Sequence, residues 1–349
     1  MQNTGRPSCH ESGLIAHQIR KSAHSAPPLK KRLVKVVDMD QRLTPATAFM
    51  LTLAPLLWAG NAVVGHAVQG LIAPMMLNFL RWLLAFVILA PLAWGVLRPG
   101  SAMWADWKRL SLLGLLGIGC YNALQYLALQ TSTPLNVTLV ASSLPVWMLL
   151  VGAVCFGKPV SRWQVAGAML SVAGVLVVLS RGEWSLLLAV RLVPGDVYVL
   201  LATLAWAFYS WLLNQPKNLL KETPKDTPTD SPSLRGDWAA FLLAQIFFGL
   251  VWSGLFAGSE WALLDTRISW GWPLAAALLY IAIGPAVVAY RCWGLGVQRA
   301  GPAIAGFFSN LTPLFAAVLS AAFLGELPHF YHALAFGLIV SGITVSVRR

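Results

Sequence analysis

The sequence predicts an all-α polytopic membrane protein whose ten transmembrane helices form two inverted five-helix repeats. The composition is the first reason. Of 349 residues, 57% are hydrophobic and 11% are charged, whereas soluble domains carry about 25% charged residues to solvate their surface. The second reason is the length of the apolar runs, and the third is an internal repeat. The apolar runs are continuous and rich in Leu, Ala and Gly, whereas the strands of a β-barrel alternate strictly between apolar and polar residues. A β-barrel is therefore disfavoured.

Apolar stretches of about twenty residues can each cross the ~30 Å hydrocarbon layer. Ten such stretches are bounded by helix breakers and charged flanks. They are residues 45–69, 72–97, 109–130, 134–156, 162–180, 194–214, 237–258, 271–297, 301–324 and 329–347. Some connections are as short as residues 131–133, so consecutive helices are expected to be antiparallel neighbours without an extramembrane domain.

The distribution of basic residues predicts the orientation. With a cytoplasmic amino terminus, twenty of the 25 Lys and Arg residues fall on the inner side and only Arg181, Arg191 and Arg267 on the outer side. The positive-inside rule therefore predicts a multi-pass protein of the cell inner (plasma) membrane with both termini cytoplasmic. The net charge of +12 is explained by topology, so the bilayer, and no nucleic acid, is the expected partner of the basic segments.

Composition also predicts the domain organisation. Residues 1–44 are polar and basic without apolar periodicity, which is typical of a disordered cytoplasmic tail. Residues 45–180 and 194–347 are the two repeats, and an outer loop at 181–193 joins them. Within the second repeat, residues 216–236 are rich in Thr, Pro and Asp and are predicted to be a flexible inner linker.

The internal repeat is visible without gaps. A shift of 168 residues superposes the third to fifth spans on the eighth to tenth, and a shift of 148 places Trp58 on Trp206. The matched pairs under the longer shift are Gln130 with Gln298, Pro134 with Pro302, Pro145 with Pro313, Gly157 with Gly325, and Gly174 with Gly342. Because each half has an odd number of spans, the two copies must enter the membrane from opposite sides. Lys158 and Glu326 at equivalent positions fit that inversion.

At these motifs the sequence resembles a known family. The segments LLWAGNAVVG at 56–65, SSLPVW at 142–147 and SNLTPLFAAVLSAAFLGE at 309–326 are similar to EamA-type members of the drug/metabolite transporter superfamily. The resemblance covers about residues 45–347, and Lys158 replaces the family's Glu in the first copy. It implies ten helices, two EamA repeats and secondary transport, most naturally export, of small metabolites or drugs. A small-molecule solute is then the expected partner.

The repeat also selects candidate cavity residues. Polar or aromatic side chains recur at equivalent positions, and an amide in hydrocarbon needs a partner helix or a water-filled cavity. The predicted cavity residues are Asn61 with Tyr209, Asn122 with Tyr290, Gln125 with Trp293, and Ser142 with Asn310. The alternative is that such residues only join neighbouring helices.

Four further residues are candidates for function. Pro145 and Pro313 lie inside the fourth and ninth spans, where they predict kinks that act as hinges. Arg81 lies ~13 Å inside its helix without an acidic partner in sequence, so it is a candidate anion contact or a structural residue. His66, near the outer end of the first span, is the candidate for proton coupling, against a solvated position at the outer helix end. All thirteen acids lie outside the spans or at their edges, so no buried carboxylate relay is expected.

Small residues also predict helix contacts. Gly167 with Ser171, and Gly337 with Ser341, are four residues apart and would let two helices approach closely.

Two other classes of protein stay open as alternatives. An intramembrane enzyme would use Glu326, His329 and His332, but their spacing at a helix start does not converge, and no hydrolase or zincin motif occurs. A passive channel would need charged pore rings. The four cysteines, Cys9, Cys120, Cys155 and Cys292, have no paired spacing, so no metal site is predicted. No enzyme activity and no cofactor are predicted either.

Overall fold

The computed structural model describes residues 43–68, 70–128, 131–132, 134–188, 193–215, 237–264, 267–324 and 330–348. The described residues contain helices and no strands. The predicted linker at 216–236 and nearly all of the predicted tail at 1–44 lie outside this part of the chain. The predicted outer loop contains one short helix, Trp184–Leu188.

The described residues form sixteen α-helices. In chain order they are α1 Pro45–Ala67, α2 Pro74–Ala93, α3 Ala102–Ala105, α4 Trp107–Leu113, α5 Tyr121–Ala128, α6 Pro134–Ala141, α7 Leu144–Phe156, α8 Arg162–Leu179, α9 Trp184–Leu188, α10 Pro194–Asn214, α11 Trp238–Leu263, α12 Trp272–Ile281, α13 Ala289–Ala300, α14 Pro302–Phe308, α15 Leu311–Leu324 and α16 Phe330–Ser346. A π-helical segment, π1 Gly114–Cys120, joins α4 to α5, and a second, π2 Ala282–Val288, joins α12 to α13. A 3₁₀ turn, Trp94–Leu97, extends α2.

Eight helical stretches of the described residues are long and apolar enough to cross a membrane. They are Pro45–Gly65, Pro74–Leu97, Trp107–Ala128, Arg162–Leu179, Pro194–Asn214, Trp238–Leu263, Trp272–Ala300 and Pro302–Leu319. Each coincides with one of the ten stretches expected from sequence. The other two expected spans correspond to shorter apolar helices, Leu144–Phe156 and Phe330–Ser346. Length and composition therefore support a membrane protein with eight candidate spans among the described residues.

The predicted kinks are instead helix breaks. The fourth stretch divides between α6 and α7, and the ninth divides between α14 and α15. Pro145 is the second residue of α7 and Pro313 the third residue of α15. A proline in the first turn of a helix lacks only an N–H that has no intrahelical acceptor. The prediction that Pro145 and Pro313 kink helix interiors is therefore wrong, and the discontinuity lies just before each proline.

A close helix contact joins α8 to α16. A Cβ added at Gly167 would lie 2.6 Å from the carbonyl oxygen of Gly342, and one at Gly342 would lie 2.7 Å from that of Gly167. These two glycines let the backbones touch. The prediction that Gly337 lies at a close helix contact is wrong, because a Cβ at that position meets no atom within 4 Å.

Candidate functional site

Aromatic rings from both halves of the chain pack together at the centre of the bundle. Trp206 on α10 is the hub, with its ring centroid 5.3 Å from that of Trp58 on α1 and 5.4 Å from that of Tyr290 on α13. We call this the aromatic cluster. Its members are Trp58, Trp82, Tyr121, Trp206, Tyr209, Tyr290 and Trp293. Offset and edge-on ring pairs at such separations are favourable and offer a planar solute a matching surface.

The two π segments support this cluster through crossed hydrogen bonds. The hydroxyl of Tyr290 donates to the carbonyl oxygen of Gly117 in π1, and the indole Nε1 of Trp58 donates to that of Pro285 in π2 at 3.2 Å. Gly117 and Pro285 are equivalent under the 168-residue shift, as are the bounds of π1 and π2. A π turn frees backbone carbonyls and occurs frequently at functional sites. Each half therefore anchors an aromatic residue of the other.

Beside the cluster lie buried polar atoms that have no hydrogen-bond partner. They belong to residues of α1, α2 and α5, all in the first half of the chain. The atoms are Asn61 Oδ1, Asn78 Oδ1, Arg81 Nε, Trp82 Nε1, Asn122 Nδ2 and the Tyr126 hydroxyl. Native proteins leave few such atoms unpaired, and each calls for an explanation. A polar solute would supply the missing partners.

Arg81 and Asn122 connect these atoms. The Arg81 side chain is 1% exposed, and its Nη1 donates to Asn122 Oδ1 at 3.4 Å. The guanidinium carbon lies 5.1 Å from the centroid of the Trp82 ring, which in turn packs 4.8 Å from that of Tyr290. The polar residues and the aromatic cluster are thus continuous.

A cleft of about 40 Å³ reaches the cluster from one end of the bundle. Its floor includes Tyr209 and Tyr290, and its mouth lies where α10 ends, α11 begins and α13 ends. The residues lining it are Tyr209, Leu213, Trp238, Phe241, Leu242, Gln245, Tyr290, Arg291, Gly294, Leu295 and Gln298. Sites for drug-sized ligands span about 300–1,000 Å³, so this cleft accommodates water in the present conformation and a metabolite only after it widens.

Hydrogen-bonded carboxylates lie at the other ends of α10 and α11 from the cleft. Asp196, in the first turn of α10 and 5% exposed, accepts from the Ser132 hydroxyl and from the Val193 N–H at 2.8 Å. Glu260 near the end of α11 accepts from the N–H groups of Met75 and Met76 at 3.2 and 3.0 Å. Asp196 is buried but lies at the edge of its span, where the sequence placed it, so the expectation that no carboxylate relay runs through the spans stays a prediction. Its burial is possible because two donors satisfy it.

The predicted cavity residues fall into distinct environments. Tyr209, Tyr290 and Trp293 belong to the aromatic cluster, and Asn122 lies beside it. Asn61 is half-buried on α1, one turn after Trp58. Gln125 is half-buried and interacts with Tyr121 of the cluster.

Ser142 and Asn310 lie at the two helix breaks rather than in the cluster. Asn310 is 1% exposed, and its Nδ2 donates to the Ser171 hydroxyl at 3.0 Å, which joins α8 to the break between α14 and α15. Ser142 is also buried. The backbone of His66 lies in the last turn of α1. Glu326 and His329 lie outside the described residues, so the expectation that they form no enzyme site with His332 stays a prediction.

Sequence reasoning missed Asn78, Trp82 and Gln245. Gln245 accepts from the Tyr209 hydroxyl at 3.2 Å, and the Asn78 amide donates to the carbonyl oxygen of Ile118 at 3.1 Å. A signal existed for two of them. Asn78 lies three residues before Arg81, and Trp82 lies one residue after it. All three are on the buried side of α2.

Known proteins resemble this chain over most of its length. The model of the EamA-like transporter family matches residues 46–180 and 230–348. An uncharacterized transporter of Archaeoglobus fulgidus is 30% identical over 87% of this chain and 98% of its own length. The aromatic amino acid exporter YddG of Ancylobacter novellus is 26% identical over 84% of this chain and 94% of its own. A probable amino-acid metabolite efflux pump of Salmonella typhimurium is 25% identical over 86% of this chain and 94% of its own length. One solved crystal structure superposes with a TM-score of 0.64 at 22% identity, covering 86% of this chain and 96% of that one, which shows a shared fold.

Proposed function

Because the chain belongs to the EamA-like transporter family, we propose that it is a secondary transporter that exports small metabolites from the cytoplasm. The observation that carries the proposal is a cleft lined by Tyr209 and Tyr290 of the aromatic cluster, together with unpartnered buried polar atoms on the helices that contribute Trp58, Trp82 and Tyr121 to that cluster. A binding site near the middle of a bundle, accessible from one side at a time, is the arrangement that a carrier needs. No chemical transformation of the solute is part of this proposal.

The solute is proposed to be of amino-acid size with a planar ring. Two relatives carry names that denote export of amino acids or their metabolites. The aromatic cluster of this chain offers ring faces and edges on which such a solute could pack. We propose that Asn61, Asn122, Gln125, Tyr209, Tyr290 and Trp293 contact it, with Ser142 and Asn310 at the neighbouring helix breaks.

The proposed mechanism is alternating access between two inverted five-helix repeats with ten membrane crossings. The π segments recur at positions that the 168-residue shift makes equivalent, and the helix breaks match under the same shift to within one residue. This supports a duplicated fold in which the corresponding helix breaks of the two repeats move alternately. The cleft is proposed to face the cytoplasm, because its mouth lies at the helix ends that flank the basic inner segments. The helix breaks before Pro145 and Pro313 are the proposed hinges.

Counterflow of labelled L-phenylalanine tests the proposal most simply. Proteoliposomes preloaded with unlabelled L-phenylalanine should transiently accumulate the labelled form, because a carrier exchanges solute across a membrane. Protein-free liposomes are the control. A flux that stays linear in concentration and shows no counterflow would indicate a passive channel, and no flux of any aromatic amino acid would contradict the proposed solute.

A reversible cross-link tests alternating access. In a cysteine-free background, Ser132→Cys with Asp196→Cys places two thiols where the Ser132 hydroxyl now donates to Asp196, at the end of the bundle that we propose to be closed. Oxidation should stop counterflow and reductant should restore it, because the closed end can no longer open. Each single substitution serves as a control for oxidation. Undiminished transport by the fully cross-linked protein would refute alternating access through this end.

Orientation is tested by reporter fusions. A fusion after Arg181 should report the outside and a fusion after Arg235 the inside, as the distribution of Lys and Arg requires. The reverse pattern would place the cleft at the outer face and overturn the direction of export.

A further inference from the structure

Arg81 is a buried cation whose charge is not compensated by the protein. It is 1% exposed, makes one long hydrogen bond to Asn122 and has an unpartnered Nε. Within the described ranges, no carboxylate forms an ion pair with it. An ion taken out of water without a counter-charge is costly, and such residues in membrane segments are retained where they have a use.

Arg109 shows what a compensated buried arginine looks like in the same bundle. Its side chain, also nearly buried, donates to the carbonyl oxygens of Leu212 and Gln215 at 2.9 and 2.8 Å. It also forms an ion pair with Asp106 at 3.8 Å. These contacts hold the end of α10, where a cation complements the free carbonyls. Arg81 has no equivalent set of partners, so a purely structural role does not account for it.

The neighbours of Arg81 include two unpartnered donors and one unpartnered acceptor, the Asn78 Oδ1 on the same side of α2. The Trp82 Nε1 and the Asn122 Nδ2 are buried without acceptors, as is Arg81 Nε. A positive charge with three free N–H donors matches a carboxylate, whose two oxygens accept several hydrogen bonds. The Trp82 ring packs edge-on to Tyr290, so a carboxylate here would leave the rest of a solute against the aromatic cluster.

We propose that Arg81, Trp82 and Asn122 form a subsite for the carboxylate of the transported solute, which makes organic carboxylates with an apolar ring the solute class. This rests on the proposed transport function. An inorganic anion such as chloride or phosphate shares the same chemistry, and binding measurements separate the two sources.

Ligand analogues test the class of solute. Binding to the purified full-length protein is measured by thermal shift, since a ligand of the folded state raises the Tm. L-Phenylalanine and 3-phenylpropionate should bind, whereas phenethylamine, which lacks the carboxylate, should bind roughly tenfold more weakly or worse. Equal affinity for phenethylamine overturns the subsite. Sodium chloride or phosphate could instead raise the Tm, with the carboxylates neither increasing that rise nor competing with it. This result would assign the site to an inorganic anion and would also overturn the subsite.

Asn122→Asp is the sharpest substitution. It is isosteric and places a carboxylate beside the unpaired guanidinium, so the protein should stay folded and gain thermal stability in the absence of ligand. Affinity for 3-phenylpropionate should fall at least roughly tenfold because the charge is already neutralised. Unchanged affinity overturns the proposal, and so does unfolding, because a structural Arg81 with a hidden partner would reject a second carboxylate.

Two further variants complete the test. Trp82→Phe keeps an aromatic ring but removes the Nε1 donor, and it should weaken binding of 3-phenylpropionate several-fold. Arg162→Gln is the matched control, because Arg162 is exposed and lies 5.2 Å from the Trp163 ring centroid, much as Arg81 lies from Trp82. Its affinity should be that of the wild type. A loss as large in Arg162→Gln as in Asn122→Asp would indicate a non-specific charge effect and contradict the subsite.

The two proposals fail in different ways. Counterflow of phenethylamine by the wild type, with none of 3-phenylpropionate, would leave a transporter and remove the carboxylate subsite. Absence of counterflow for every probe, together with wild-type binding of 3-phenylpropionate that is lost in Asn122→Asp, would leave the subsite and remove transport.

Discussion

The amides of the first half and the tyrosines of the second occupy equivalent sequence positions and make different use of their polar groups. The hydroxyls of Tyr209 and Tyr290 donate to Gln245 and to the carbonyl oxygen of Gly117. Their counterparts Asn61 and Asn122 each keep a buried atom without a partner. The tyrosine pair is therefore bound into the bundle, whereas the amide pair retains hydrogen-bonding capacity.

This difference indicates that the two halves of a duplicated bundle can have different roles. An unpaired buried polar atom costs about 1–3 kcal/mol, so concentrating such atoms in one half is tolerable only if something else satisfies them. The other half can then supply rigid apolar walls. Equivalent positions thus need not have equivalent roles, and the two roles are separable by experiment.

The largest expected effect is on stability. Tyr209→Ala removes a ring that is 2% exposed and packs 4.9 Å from the Trp206 ring, so unfolding should become easier by about 3–5 kcal/mol. Asn61→Ala should destabilise far less, because the packing that this half-buried side chain loses is offset by the removal of an unpaired buried oxygen. Equilibrium unfolding in detergent micelles measures both. Equal losses would break the comparison.

A packing contact away from the cluster calibrates that scale. Gly167→Ala forces a Cβ against the Gly342 carbonyl and should cost about 1–3 kcal/mol. Gly337→Ala meets no atom and should be neutral or stabilising by up to about 1 kcal/mol, since alanine favours a helix over glycine. The same unfolding assay applies. Comparable destabilisation by both substitutions would show that α8 and α16 do not touch in the described way.

The crossed hydrogen bonds predict a smaller effect. Tyr290→Phe keeps the ring but leaves the carbonyl of Gly117 without its donor, which should cost about 1 kcal/mol. Tyr198→Phe, on the same protein but 39% exposed, is the control and should be neutral. If Tyr290→Phe is as stable as the control, the Gly117 carbonyl has another partner and the π1 segment does not depend on the second half.

The smallest expected effect concerns pH. If His66 couples protons to transport, the dependence of counterflow on pH between 5 and 8, where an imidazole changes charge, should vanish in His66→Ala. Because Asp196 is buried at the closed end, Asp196→Asn is the necessary comparison. Acid dependence that survives His66→Ala and disappears in Asp196→Asn would transfer the coupling to Asp196.

Much of the fold was predictable because the bilayer imposes helix length and internally satisfied backbones. The start of α10 at Pro194 and its end at Asn214 coincide with the predicted bounds. The helix breaks were located to within a few residues by Pro145 and Pro313, but sequence alone could not distinguish a kink from a break, since that depends on how residues 142–143 and 309–310 are held.

The site was predictable only in part, because hydrogen-bond partners are set by tertiary packing. Repetition selected Tyr209, Tyr290 and Trp293, whose rings do meet. It also selected Asn310, whose amide bonds Ser171 on another helix. The π segments had only a weak signal, Gly117 and Pro285 at equivalent positions, since π geometry is rare and has no strict sequence pattern.

The central claim is that a solute binds the unpaired amides of the first half. The dissociation constant for L-phenylalanine in Asn122→Ala and Asn310→Ala tests it most directly, because one amide has an unpaired donor and the other joins two helices. Asn122→Ala should bind roughly tenfold more weakly or worse, whereas Asn310→Ala should lose thermal stability and keep the wild-type affinity in its folded fraction. Wild-type affinity in Asn122→Ala, or a larger loss of affinity in Asn310→Ala, would contradict the account.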